Sequence, residues 1–380
     1  MSTSPAESGS SAGSGTGSVV RTPFGRTRRG EPVERWELRL PSGASAEVLT
    51  RGAALHRLRV PDAAGARGDV VVALPDVASY EAAEGYPGAV VGRVANRLAG
   101  GRFTVDGVEH RVPLNDGPNA LHGGAEGFDQ RVWRAEEVAA AAGPAVRLSL
   151  RSLDGDMGFP GELVAAVTYA LSEGPDGVVL RLDYEATTTA ATPVNLTNHA
   201  YVNLDGPGTV EDHVLRAHAS RYLPVDEVLI PTGELREVAG TPFDFRSPAR
   251  LGERLREADE QLLRAGGYDH SLVLDDAGTG EREVVELTGP RSGRRLRVRT
   301  DAPGLQLYTG NFLDGAWRDL SGRPVRQGDA LCLETQLLPD AVNRPAFSEG
   351  GLGGGLAGAV LRPGAVFTTT TSFVLDAPGA

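Results

Sequence analysis

The sequence predicts an all-β fold, a large antiparallel β-sandwich with few short helices. Three observations carry this prediction. Strand-length runs recur along most of the chain, many of them alternating apolar and polar residues. One hairpin is explicit in the residues. No strand–helix–strand rhythm appears, which argues against the parallel α/β classes.

Taken in order, residues 1–18 (MSTSPAESGSSAGSGTGS) are rich in Ser, Gly and Ala, carry one charge, Glu7, and predict a flexible tail. They lack the basic start and apolar stretch of a signal peptide. Strands are expected at 35–40 (RWELRL), 55–60 (LHRLRV) and 70–74. At 102–105 and 108–112 the flanking runs enclose Asp106-Gly107, a pair that accepts the positive φ angles of a type I′ hairpin turn. Further strands are expected at 146–150, 163–171 and 178–186. The best helix signal is 252–265 (GERLREADEQLLRA), with Leu255, Leu262 and Leu263 on one face. Strands resume at 283–287, 295–300 (RLRVRT), 305–309 and 331–335. The run 350–358 (GGLGGGLAG) predicts a loose loop before a last strand at 366–375. Together these make one domain over 19–380, following the tail.

Composition narrows the chemistry. All 38 basic residues are arginine, so Schiff-base chemistry and a P-loop lysine are excluded. The single cysteine, Cys332, permits no internal disulfide and no cysteine-rich zinc knuckle. A net charge of −12 repels phosphate backbones, so no nucleic acid partner is expected. No apolar run approaches the length of a membrane span, so no membrane partner is expected either, and the location expected is cytoplasmic. The seven histidines show neither H-x-H nor H-E-x-x-H spacing, so no metal is expected. Two glycine motifs fail on context. Gly9-Ser10-Ser11-Ala12-Gly13 lies in the tail with no strand before it. Gly353, Gly355 and Gly358 leave too little chain for a dinucleotide-binding unit.

Three histidines sit in dense polar surroundings. His122 follows Asn115, Asp116, Gly117 and Asn119 and precedes two glycines, which suits close approach of backbone to a ligand. His199 lies in 195–204 (NLTNHAYVNL), where three asparagines oppose the local strand preference. His270 follows Tyr268 and Asp269. In 331–336 (LCLETQ), if Leu331 and Leu333 face the core, Glu334 faces the other way, toward solvent or a pocket. A glutamate and histidines on one β scaffold are the equipment of general acid–base chemistry.

These segments resemble the aldose 1-epimerases, or galactose mutarotases. The resemblance rests on 92–97 (GRVANR), 115–133 (NDGPNALHGGAEGFDQRVW), 195–204, Tyr268-Asp269-His270, 305–312 (LQLYTGNF) and 334–343 (ETQLLPDAVN), in family order from about 32 to 376. It implies a galactose mutarotase-like supersandwich and interconversion of the α and β anomers of a free aldose such as glucose or galactose, with no cofactor. It implies His199 as the acid on the ring oxygen and Glu334 as the base on the C1 hydroxyl. His122, Arg97, Asp269 and Asn96 then bind the sugar. Monomer and homodimer are both compatible with it. Alternatives are an epimerase of a phosphorylated or modified sugar, a non-catalytic carbohydrate-binding protein on the same fold, and a glycoside hydrolase. Val94 and Val202 replace usual aromatics and are expected to alter the cleft wall. The Glu334 pairing predicts a raised His199 pKa.

Overall fold

The computed structural model describes residues 17–348 and 359–378. Residues 1–16 of the expected tail, and the expected loop at 350–358, lie outside the described residues. The architecture is all-β, and every paired strand runs antiparallel to its neighbours.

The largest sheet has nine strands. Its long members are Gly143–Ser152, Leu163–Gly174, Gly177–Thr188 and Phe367–Asp376, adjacent in that order. Their period-2 pattern decides which face is covered. Leu163, Ala165, Val167, Tyr169 and Leu171 are buried on one strand, and Val178, Leu180, Leu182, Tyr184 and Ala186 on the next. This face packs into one apolar core with Trp36, Leu38 and Val48 of an N-terminal five-stranded sheet. Leu272, Leu305, Leu307 and Leu333 of a second five-stranded sheet join the same core.

That second sheet carries the functional groups. It places Asp269–Val273 beside Gly304–Tyr308, and Gly304–Tyr308 beside Cys332–Gln336. The register pairs Asp269 with Tyr308 and Tyr308 with Cys332; Gln306 pairs with both Ser271 and Glu334. Directly paired residues share a face, as do residues two apart on one strand. Asp269, Gln306, Tyr308, Cys332 and Glu334 therefore all leave one face, while Leu305, Leu307 and Leu333 enter the core from the other.

The Asp106-Gly107 hairpin forms between Arg102–Val105 and Val108–Arg111, with φ of 51° and 80° at the two turn residues. Four expectations are corrected. A strand, Ser18–Arg26, precedes the first one expected and begins at the last residue assigned to the tail. It carries Pro23 and a register shift between Pro23 and Gly25, and is exposed along much of its length, so it shows no clean alternation. The expected strand at 70–74 is extended chain, with only a single bridge from Val71 to Val202. The helix expected at 252–265 is two short pieces, Leu251–Arg254 and Glu260–Ala265. The second starts on the Asp259 side chain, which accepts from the N–H groups of Gln261 and Leu262, and Leu263 is exposed rather than facing the core. Val94 and Val202 are buried in apolar clusters and do not line the cleft, so their expected effect on its wall fails. No helix among the described residues is long and apolar enough to cross a membrane.

Candidate active site

A cleft of about 780 Å³ opens over the polar face of the second five-stranded sheet. His199, Glu334, Arg97, His122, Asp269 and Asn96, all expected from the sequence, line it. Each is at least nine-tenths buried.

Glu334 comes from the sheet itself, and His199 from a segment laid across it. The N–H of His199 donates to Ala89 O at 2.8 Å, and its carbonyl accepts from Gly88 N–H at 2.9 Å. The asparagines around it hold loops rather than ligand. Asn198 donates to Gly88 O at 2.6 Å, Asn195 accepts from Leu337 N–H at 3.0 Å, and Asn203 donates to the carbonyls of Gly208 and Asp329 at 2.8 Å. Their poor strand propensity is offset by these bonds, which fix the segment that carries His199. His199 Nε2 then stands 3.6 Å from Glu334 Oε1, and its Nδ1 lies 3.5 Å from Cys332 Sγ.

His122 stands on the other side, its ring centre 5.3 Å from that of His199. Gly123 lets its loop close down: a Cβ there would lie 1.9 Å from Gly92 O, and its φ is +93°. The N–H of Asn96 donates to His122 Nδ1 at 3.2 Å, so the neutral imidazole holds its proton on Nε2, on the cleft side. Asn96 accepts from the Arg97 N–H at 2.8 Å through its own side chain, so it shapes the turn as well as lining the cleft.

Arg97 is buried between two carboxylates. Its Nε donates to Asp116 at 2.7 Å and its NH1 lies 3.6 Å from Asp269, which also accepts from Gln306 at 2.7 Å. Asp116 and Gln306 are site residues that the sequence reading left unassigned. Their signals were the acid in the Asn115–Asn119 stretch and the polar residue inside the apolar run LQLY. Tyr86 was also missed and had no signal. It lies over His122 at 4.5 Å in a left-handed backbone conformation, φ 61°. His270, whose ring enters the opposite face near Phe243, at 4.6 Å, takes no part.

Burial dominates the electrostatics. It pushes the His199 imidazole down to about 4, against a small opposing effect of the residue's own carbonyl. This is opposite in direction to the rise expected from the Glu334 pairing: removal from water disfavours the cation, and Glu334, itself pushed toward its neutral form by burial, adds nothing against it. Burial likewise pushes Glu334 well above the usual carboxylate range, with Asp269 adding and Arg97 opposing. His122 is held well below its ordinary value by burial, then by His199 and Arg97. Burial works against the Arg97 cation, but Asp269 and Asp116 outweigh it and its pKa rises.

The fold brings His122, His199 and Glu334 together with one donor atom of each within 4.8 Å, a cluster that sequence spacing did not reveal. Its chemistry does not suit a metal. An imidazole that ligates through Nε2 needs its proton on Nδ1 and an acceptor behind it. His122 has a backbone N–H there instead. Exhaustive treatment with a chelator is therefore expected to leave turnover unchanged; loss restored by one divalent ion would overturn this.

Comparison with known proteins gives one consistent picture. The family described as Aldose 1-epimerase matches residues 34–373. The chain is 42% identical over 359 residues to the galactose mutarotase of Rattus norvegicus, covering 94% of this chain and 98% of that protein. It is 36% identical over 345 residues to the aldose 1-epimerase of Escherichia coli K12, covering 90% and 95%. The crystal structure of galactose 1-epimerase from Lactobacillus acidophilus NCFM superposes with a TM-score of 0.80 at 29% identity, covering 95% of this chain and 99% of that one.

Proposed function

This chain belongs to the aldose 1-epimerase family and is an isomerase of free aldoses, and from that premise we propose that His199 and Glu334 move the two protons of the reaction. The observation that carries the assignment is their placement. A carboxylate and an imidazole stand 3.6 Å apart in a buried polar cleft, each with an atom turned toward the same space.

Opening a cyclic hemiacetal takes a proton from the C1 hydroxyl and gives one to the ring oxygen. Ionised Glu334 takes the first. As that O–H bond breaks, C1 gains its carbonyl and the C1–ring-oxygen bond breaks. The ring oxygen receives the Nε2 proton of neutral His199, a role a low-pKa imidazole fills elsewhere as an electrophile. Rotation about C1–C2 and the reverse transfers close the other anomer. No covalent intermediate forms. His122 donates its Nε2–H to a sugar hydroxyl. Arg97 and Asp269, with Asn96 beside them, offer donors and acceptors matched to hydroxyl pairs.

An uncharged aldose fits this cleft better than a sugar phosphate. Arg28, Arg51 and Arg97 line it against Glu81, Glu84, Asp116, Asp129, Asp269 and Glu334, so cationic charge is already compensated. We take the strand that starts at Ser18 as the start of one catalytic domain, and place it in the cytoplasm, a compartment in which a lone thiol such as Cys332 stays reduced.

The test is polarimetry. Freshly dissolved α-glucose and α-galactose, in a buffer that catalyses mutarotation poorly, should relax faster with the protein and reach the same final rotation. An unchanged relaxation rate with both sugars, and with xylose and arabinose, would sink the reading.

A further inference from the structure

His122 has a hydrogen-bond donor behind its ring in the Asn96 N–H. The group behind the His199 ring is Cys332, the only cysteine in the chain. Cys332 is fully buried and stands two residues before Glu334 on one strand, so both side chains leave the same face. The His199 ring spans them, Nδ1 at 3.5 Å from the sulfur and Nε2 at 3.6 Å from the carboxylate.

A thiol both donates and accepts weakly, so its charge state decides its role. Burial pushes the Cys332 thiol well above its ordinary value, and Glu334 and Asp269 add to the shift. The group therefore stays S–H. The backbone carbonyl of His199 itself, which also accepts from the Gly88 N–H at 2.9 Å, is the acceptor that competes for an Nδ1 proton.

We propose that Cys332 is a positioning residue of the isomerisation: its S–H donates to His199 Nδ1 and so keeps the transferable proton on Nε2. The inference rests on His199 being the acid. Were the proton on Nδ1 instead, Nε2 would present a lone pair to the ring oxygen and nothing to give it.

The same bond has a second effect during proton transfer. When the ring oxygen takes the Nε2 proton, the electron pair of that N–H bond stays on the imidazole. Glu334 meanwhile holds the proton from the C1 hydroxyl, so one negative charge has passed from carboxylate to ring. A hydrogen bond to a charged partner is stronger than to a neutral one, so the thiol contributes most in the transition state.

The experiment combines imidazole ¹⁵N NMR with steady-state kinetics on the full chain and on Cys332→Ala, Cys332→Ser and His199→Asn. The His199 signals are identified by their loss in His199→Asn. In the unsubstituted protein they should show a neutral ring protonated at Nε2, a readout that needs no variant to fold. Cys332→Ser, which keeps a donor, should retain that tautomer and kcat within about tenfold. Cys332→Ala should populate the Nδ1–H tautomer and lower kcat by roughly 10–10²-fold, with KM nearly unchanged. An Nδ1–H ring in the unsubstituted protein would overturn the inference. So would a folded Cys332→Ala with normal kcat and tautomer, while His199→Asn is inactive. If His199→Asn itself turns over normally, the acid assignment fails first, and with it the premise of the cysteine's role.

Discussion

Glu334→Gln and His199→Asn should each lower kcat by at least about 10²-fold, with a smaller effect on KM, since positioned acid–base groups contribute roughly 10²–10⁴. Both substitutions keep approximate size and hydrogen-bonding capacity. What they remove is the ability to take a proton from C1–OH or to give one to the ring oxygen. The double variant should be little worse than the worse single one, because removal and delivery of protons work as a unit. The pH profile carries the sign. Glu334 acts ionised, and burial with Asp269 raises its pKa while Arg97 opposes. Activity should therefore fall as pH drops through a limb above the roughly 4.3 of an ordinary glutamate. His199 is pushed down to about 4, so it is neutral across that range and adds no alkaline limb. The remaining groups facing the pair are His122, itself held neutral, Cys332, and tyrosines raised above their usual range. Polarimetric rates extrapolated to zero buffer, from pH 5 to 9, give the profile. An alkaline limb that disappears in His199→Asn would mean that the imidazolium is the acid after all. Normal kcat in both single variants would remove the assignment and turn attention to His122 and Asp269.

Arg97→Met should cost about 3–5 kcal/mol of stability, the usual penalty for removing one partner of a buried ion pair. Asp269 would keep its Gln306 hydrogen bond but lose the one cation close to it among the described residues. Asp116 is less buried and regains water more easily. The loss should depend on pH. In the variant the folded-state pKa of Asp269 rises further above its unfolded value, so the protein gains stability from protonating it below that pKa and loses this as pH rises. The deficit in urea unfolding should accordingly be larger at pH 8 than at pH 5. Adding Asp269→Asn should recover part of the stability without recovering activity, because the uncompensated charge is gone while the hydroxyl-binding pair is not restored. A loss within about 1 kcal/mol, flat with pH, would show that the pair is solvated.

The fold class was legible because its evidence is local. Alternation over 178–186 or 295–300 reports a half-covered strand without reference to anything distant, and Asp-Gly carries its own turn. The strand Ser18–Arg26 was illegible for the converse reason: Pro23 and polar residues on both faces leave no period. The helix at 252–265 had a plausible face but breaks between Arg254 and Glu260, where the chain leaves the helical path.

All six site residues named from the sequence line one cleft. The properties that make them reactive were out of reach, because they depend on depth. The His199–Glu334 pairing suggested a raised imidazole pKa, whereas complete burial reverses the sign. Metal-ligand spacing could not disclose a cluster assembled from residues 122, 199 and 334. Cys332 behind His199 is a contact across 133 positions of chain. Val94 and Val202 show the opposite error, departures from a motif that turn out to face the core.

Tyr86 holds φ at 61°, a conformation costly for a bulky side chain, while its ring covers His122. Glycine at this position would relax the backbone by roughly 1–2 kcal/mol, but it would also remove a part-buried ring packed on His122 and His199 and loosen the unfolded chain, losses of at least the same order. The torsion and the ring therefore come together, and no substitution here eases the backbone without also opening the wall of the sugar's cleft.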